Sequence, residues 1–449
     1  MTNRSRKVGL LAQIVLVFLA LPLANACGSA PAVSPTAAPP APVASLAQPA
    51  AAPPGAEIVI GAASDLTGPF SASGVAQTAG RNAYIRYVNE KLGGINGVKI
   101  NLVTVDTAFD ENREVAAYKR FRDVDRALLM NNLSSGAAAA IAPMAEVDGM
   151  VHTNVAEPAV TFRGKDGWFF AIQPQLHDGG GTAFQWWYDS EWKKNADRAP
   201  KVALLNLDAL AGHEVSKYFN ALLKPMNIPI VVDMFTPNGI SDTTNYVTAI
   251  KDKQADVLIS LEPDALWGIL VKDMKRQGVN IPIISSLNTV LASDVIRSMG
   301  PTGVGVISYL PYSMWDDTDV EGIKVIRSLY KEWSPGTEER RTVFYYGWAE
   351  EAITLEGVRI ALNNVGYDGL TKDIKKGRAA MRDAMYQING FTADGLLPPV
   401  KYSKDDRRPY TKVKVARVGE GGKIQELTGW VDAPSLTPEM KTNKWWGQQ

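Results

Sequence analysis

The sequence predicts an α/β protein built as two doubly wound parallel-sheet lobes, and three observations carry that prediction. From Glu57 onward, short apolar runs alternate with amphipathic helical patterns. The runs are nearly continuous in Val, Ile, Leu and Ala, as strands covered on both faces by helices must be. The alternation comes in two series, each of about five strands, and the remaining tail is too short for a third domain of the same build.

The chain opens on Arg4, Arg6 and Lys7, continues with an apolar stretch Val8–Leu23 broken only by Gln13, and reaches Ala24, Ala26 and Cys27. Basic head, apolar middle and small residues at the break make a secretory signal over 1–26. Cys27, the only cysteine of 449 residues, is expected to take a lipid and become the mature N-terminus. As a permanent anchor, Val8–Leu23 falls short of the ~20 apolar residues a span needs and contains Pro22. A cleaved signal with an incidental cysteine stays open, because Ala24 occupies the place where lipoprotein signals usually carry Leu. Residues 28–56 hold eight prolines, eleven alanines and no charge. That composition makes a semi-stiff tether, with a reach on the order of 90 Å at ~3.1 Å per residue.

Strands are then expected at 57–63, 99–105, 127–132 and 150–153, with helices at Ala76–Leu92, Glu111–Asp125 and Ala137–Glu146 between them. The second series runs through 201–207, 228–234, 256–261, 281–285 and 304–310. Long helical patterns come next at Thr342–Asn364 and Thr371–Tyr386, then strand-like segments at 413–418 and 423–431. This tail is expected to return and complete the two lobes. Phe184, Trp187, Tyr188 and Trp192, at helical spacing, are expected in the core or between lobes.

Lys+Arg and Asp+Glu both number 47. Loss of the signal removes three cations and leaves 44 basic against 47 acidic residues, a net charge of −3. No basic footprint for nucleic acid exists. Internal disulfides are excluded in the mature chain, so stability must come from packing. His152, His177 and His213 lie in no metal-ligand spacing, and GxSxG, P-loop and GxGxxG patterns are absent. No enzyme activity, metal or cofactor is expected.

Open α/β sheets bind ligands at the loops after their strands. After the first strand come Asp65–Ser71 and then Ser73-Gly74. After the third, Leu133-Ser134-Ser135-Gly136 runs into an alanine-rich helix, whose first amides and dipole would seat a carboxylate while either serine caps the helix. Asn154–Pro158 comes after the fourth. Asp208–His213, Glu262-Pro263-Asp264 and Leu287-Asn288 come after strands of the second series. Tyr309, Tyr312, Trp315 and the Tyr345-Tyr346-Gly347-Trp348 cluster add aromatic surface.

These loops, in this order behind such a leader, resemble the type I periplasmic binding proteins, more narrowly the leucine/isoleucine/valine-binding receptors of ABC transporters. The matching segments are IGAASDLTGPFSASG (60–74), GGING (93–97), LVTVDTAFD (102–110), LSSGAAAAIAP (133–143), YYGWAEEAITLEGVRIAL (345–362) and LLPPVKYSKDDRRPYTKVKVARV (396–418). The resemblance implies a flytrap with three crossover segments, near His177–Gly181, Ser308 and Leu396. It places lobe 1 at 57–178 plus 309–395 and lobe 2 at 179–308 plus 396–449. It assigns the ligand carboxylate to Ser134 and Ser135, and carboxylate plus ammonium to the loop with Asn154, Ala156 and Glu157. That loop departs from the family's small Ser-Pro-Gly-Ala-Thr-like run. Leu210 stands near the family's Tyr-Gly, and Ser73 replaces an aromatic residue. Asp178, Glu262 and Asp264 are candidate ammonium partners, with Asn288 and Tyr346 as further lining.

The expected protein is a monomeric, extracytoplasmic, lipid-anchored receptor for a small carboxylate-bearing solute, a branched-chain or related amino acid first. Its partners would be an ABC permease and, through lipid, the membrane. Aromatic acids, amides or urea-like solutes are the rival ligands, and a flytrap sensor for a signalling partner is the rival role.

Overall fold

The first lobe is organised around a parallel sheet whose strands leave helices on both faces. In the computed structural model the described residues are 52–446 except 133, 155–157, 165–166, 337–341 and 443. Cys27, the leader, most of the tether, Ala156 and Glu157 lie outside them. The elements run β1 (Glu57–Ser64), α1 (Ser71–Arg86), β2 (Lys99–Asp106), α2 (Glu111–Asp123), β3 (Leu129–Asn132), α3 (Ser135–Asp148), β4 (Val151–Asn154), α4 (Pro158–Thr161) and β5 (Phe169–Ala171). The sheet order is β2-β1-β3-β4-β5, with Ile60 registered on Leu102 and on Leu129. Central β3 is buried throughout, whereas edge strand β2 is mostly half-buried. Asp110 caps α2 by accepting from the Arg113 N–H at 2.9 Å. Gly149, at φ 65°, ends α3 in the left-handed turn that glycine adopts without penalty.

The chain then passes into α5 (Leu176–Trp187), α6 (Lys193–Asn195), β6 (Val202–Leu207), α7 (Leu210–Leu223), β7 (Ile230–Thr236), α8 (Thr244–Asp252), β8 (Val257–Leu261), α9 (Asp264–Arg276), β9 (Ile283–Ser285), α10 (Ser293–Met299) and β10 (Ile307–Leu310). These five strands are parallel, and β6 and β8 are buried at every residue. Phe184 and Trp187 of α5 are buried, so that helical aromatic stripe is core.

The remaining chain serves both lobes. α11 (Glu321–Trp333), α12 (Thr342–Thr371) and α13 (Ile374–Met385) precede a small hairpin of β11 (Asn389–Phe391) and β12 (Val400–Lys401). β13 (Lys412–Val418) then pairs antiparallel with β10, Ser308 opposite Ala416. β14 (Ile424–Glu426) and β15 (Val431–Asp432) pair with β13. The second sheet therefore reads β14-β13-β10-β9-β8-β6-β7. Tyr402 donates to the Ala171 carbonyl at 2.6 Å and Tyr410 to that of Pro311 at 2.8 Å, which ties the three crossover segments together.

One close approach matters for the site. α12 packs on α1 backbone to backbone: a Cβ on Gly80 would stand 2.0 Å from the Phe344 carbonyl oxygen, and one on Gly347 1.9 Å from that of Gln77. Only glycine permits this contact, and it brings Arg81 against Glu350. The Arg81 Nε lies 2.6 Å from Glu350 Oε2, with both side chains fully buried. Gln77 donates to the same carboxylate oxygen, and the Arg81 Nη1 donates to Ser64 Oγ at the end of β1.

Candidate functional site

A cleft of about 660 Å³, its mouth included, opens between the two sheets at the ends of their strands. From the first lobe it receives Phe70 and Ser73 at the start of α1, Phe109 after β2, Ser135 at the start of α3, and Val343 and Tyr346 from α12. Gln173 and Leu176 enter from the first crossover. The second lobe adds Leu207, Ala209, Ala211, Leu261, Leu287, Asn288 and Thr289, and Tyr312 enters after the second crossover. None of these described lining residues carries a formal charge. Phe70 and Phe109 meet at 4.6 Å between ring centroids, forming one apolar wall.

Phe109 reaches the cleft through strained backbone. Ala108 and Phe109 both hold positive φ, 54° and 59°, unusual for a bulky residue and found where surrounding structure over-determines it. The determinant is Asp65, whose Oδ1 accepts the Phe109 N–H at 2.6 Å and the Thr107 hydroxyl at 2.8 Å. Burial raises the Asp65 carboxyl against these hydrogen bonds.

The lobes meet across the cleft. Ser73 donates its backbone N–H and its hydroxyl to Asp264 Oδ2, at 3.0 and 2.5 Å. The Ala159 N–H donates to Glu214 Oε1 at 2.9 Å, and the Thr342 hydroxyl to the Leu291 carbonyl at 2.7 Å. These contacts describe a closed flytrap. Burial raises the Asp264 carboxyl even with Ser73 beside it.

Ser73, Ser135, Asn288 and Tyr346 of the residues singled out in the sequence line this cleft. Four others do not. Ser134 caps α3, its hydroxyl oxygen accepting from the Ala137 N–H at 3.3 Å. Leu210 begins α7, so its neighbours Ala209 and Ala211 face the cleft instead. Glu262 comes right after cleft-lining Leu261 and turns away to accept from Thr236 at 2.7 Å. Asp178 is held by the Arg408 guanidinium at 2.9 Å and accepts from the Gln175 N–H, so it is committed to structure. Asn154 is fully buried at the end of β4 and outside the lining. The Gly136 backbone has Glu111 against it, whose carboxylate would lie 1.7 Å from an added Cβ. The start of α3 thus already faces one anion.

Sequence reasoning passed over Gln173, Phe109, Leu176 and Thr289. Gln173 comes after β5, a three-residue strand absent from the expected series, and its Oε1 has no hydrogen-bond partner among the described residues. Among the described residues no His, Cys, Asp or Glu group could hold a metal ion, and no helix is long and apolar enough to cross a membrane.

Beneath the cleft a polar network fills the strand ends of the first sheet. Asn131 donates to Glu351 Oε1 at 2.5 Å and accepts from Thr153 at 2.6 Å. Burial, reinforced by Glu350, pushes Glu351 up to about 8, and burial pushes Glu262 up to about 8. Burial pushes His152 and His177 down to about 4. From pH 4 to 6.5 the unfolded chain holds more protons on these histidines, so they add stability as pH rises. From pH 4.5 to 8 the folded chain holds more on these carboxyls, so they remove it. The slopes oppose each other below pH 6.5, and only the carboxyls act above it. Calorimetry should therefore show the melting temperature falling from pH 6.5 to 8, with a shallower fall in Glu351→Gln. An equally steep fall in that variant would contradict the assignment.

The comparisons with known proteins agree with this architecture. A family model described as periplasmic binding protein matches residues 57–423. An amino acid binding protein of Pseudomonas aeruginosa is 27% identical over 251 residues, 55% of this chain and 64% of the relative. A Leu/Ile/Val-binding protein homolog of Brucella abortus is 28% identical over 221 residues, 47% of this chain and 54% of the relative. The chain thus spans less than two thirds of the length of these relatives. A branched-chain amino acid ABC transporter structure from Thermus thermophilus with bound valine superposes with TM-score 0.73 at 15% identity, over 84% of this chain and 97% of that one. A fatty acid ABC transporter substrate-binding protein from Thermomonospora curvata superposes with TM-score 0.72 at 18% identity, over 86% and 95%. With the family match running through both sheets and all three crossovers, the chain belongs to the periplasmic binding protein family.

Proposed function

We propose that this chain is an extracytoplasmic receptor that captures a small carboxylate-bearing solute and passes it to an ABC permease, a branched-chain or related amino acid being the first candidate. The observation that supports this reading most is the interlobe cleft, apolar along Leu207, Leu261, Leu287 and Val343 with hydroxyl and amide groups at Ser73, Ser135, Gln173 and Asn288. Apolar walls with a few placed polar groups suit a small solute with one aliphatic end. The lobes would move as 57–178 plus 309–395 against 179–308 plus 396–449, and ligand would favour the closed state through contacts made only there. Cys27 would carry the lipid, with 28–56 as the tether.

A thermal-shift screen of the chain against aliphatic amino acids, aromatic acids, amides and polyols tests the reading. A cognate solute at 100 Kd adds about 2.7 kcal/mol of stability. No shift with any aliphatic or aromatic acid would overturn it. The Phe70–Phe109 wall and Tyr346 favour aromatic acids as the second reading, which the same screen separates.

Ser73→Ala isolates closure from the screen. It leaves Asp264 buried with one hydrogen bond fewer, at a cost of about 1.5–3 kcal/mol in the closed state. Titration of the screened solute should show affinity reduced by about tenfold or more. Unchanged affinity would mean that the Ser73–Asp264 contact plays no part in closure.

A further inference from the structure

The family match ends at residue 423, yet the chain continues into an ordered segment that packs around the crossovers. Leu436, Met440 and Trp446 are buried. The Trp446 ring lies 4.8 Å from His177, at the start of α5, and its Nε1 donates to the Met440 carbonyl at 2.6 Å. Beside it, Lys217 of α7 donates to the Trp445 carbonyl and lies over the Trp445 ring at 4.8 Å. The segment is thereby fastened to the second lobe.

Its other attachment is to the pivot. Lys441 Nζ lies 3.1 Å from Asp406 Oδ2. Asp406 lies between β12 and β13, next to two arginines, one reaching the first lobe and one the first crossover. Arg407 donates to the carbonyls of Phe169, Arg163 and Gly164 on the first-lobe side. Arg408 pairs with Asp178 of α5 in the first crossover and with Asp406 itself, at 2.7 Å. Opening the lobes must change the backbone where these two side chains part, because a hinge concentrates its rotation in a few residues.

We propose that residues 433–442 and 444–446 form a strap that restrains opening by tying Asp406 of the pivot to the second lobe. Two residues divide its work. Trp446 seats the strap on His177 of α5, and Lys441 holds the pivot carboxylate. Without the strap the pivot loses the Lys441–Asp406 contact, and open forms gain population.

The test needs no ligand, so it stands apart from the solute assignment. Exposed Val147 of α3 and exposed Lys253 after α8 carry spin labels as Val147→Cys and Lys253→Cys, in the full chain with Cys27→Ser. Double electron–electron resonance then reads the interlobe distance distribution. Trp446→Ala and Lys441→Ala are each expected to raise the fraction of long separations several-fold. Lys441 is partly exposed, so its variant decides the matter should Trp446→Ala fail to fold. Distances that stay unchanged or shorten in Lys441→Ala would overturn the proposal and leave the segment a cover.

Discussion

Arg81→Met is expected to destabilise the chain by about 3–5 kcal/mol, the cost of leaving a buried carboxylate without its counter-ion. Glu350 would keep only the Gln77 amide, in a region where Glu351 stands next along the helix and both are fully buried. Burial already raises the Glu350 carboxyl, and Arg81, with a smaller part from Gln77, opposes the rise. The variant chain would therefore take up a proton at Glu350 and lose stability more steeply as pH increases. Denaturant unfolding of Arg81→Met, Glu350→Gln and the double variant measures the coupling. A double variant no more stable than Arg81→Met would show that Arg81 acts through Ser64 rather than Glu350.

Ser135→Trp is expected to abolish ligand-induced stabilisation, from about 2.7 kcal/mol at 100 Kd to none. Ser135 opens α3 on the cleft side, while the helix cap belongs to Ser134, so the indole would occupy the cleft and spare the cap. The unliganded melting temperature should stay close to that of the parent chain. Ligand-induced stabilisation surviving in Ser135→Trp would remove this cleft as the solute site.

The alternation of apolar runs and amphipathic helices made most of the fold legible, because parallel strands buried on both faces have few polar residues to interrupt them. β5 escaped because it is three residues long and comes after a four-residue helix, too short for either period to register. α1 begins at Ser71, earlier than its apolar pattern suggests. Its first turn lies against the loop after β1, where a Cβ on Gly74 would stand 2.0 Å from the Asp65 carbonyl oxygen. The loops after the strands pointed to Ser73, Ser135 and Asn288, since topology alone brings strand ends together. The role of Asp178 was not legible: its partner Arg408 lies 230 residues away in sequence, and no local pattern announces that pair. Glu262 was misplaced by a single residue of strand alternation.

The pairing of Ser308 with Ala416 has a consequence for how the molecule reaches its native state. β10 must wait roughly a hundred residues for its antiparallel neighbour, and such distant pairing is slow because loop closure precedes any reward. Until β13 arrives, one flank of the second sheet exposes unpaired backbone groups that invite strands from other chains. The vulnerable species during biogenesis is then a polypeptide that has yet to add β13, and shielding that flank becomes the task of whatever escorts the chain.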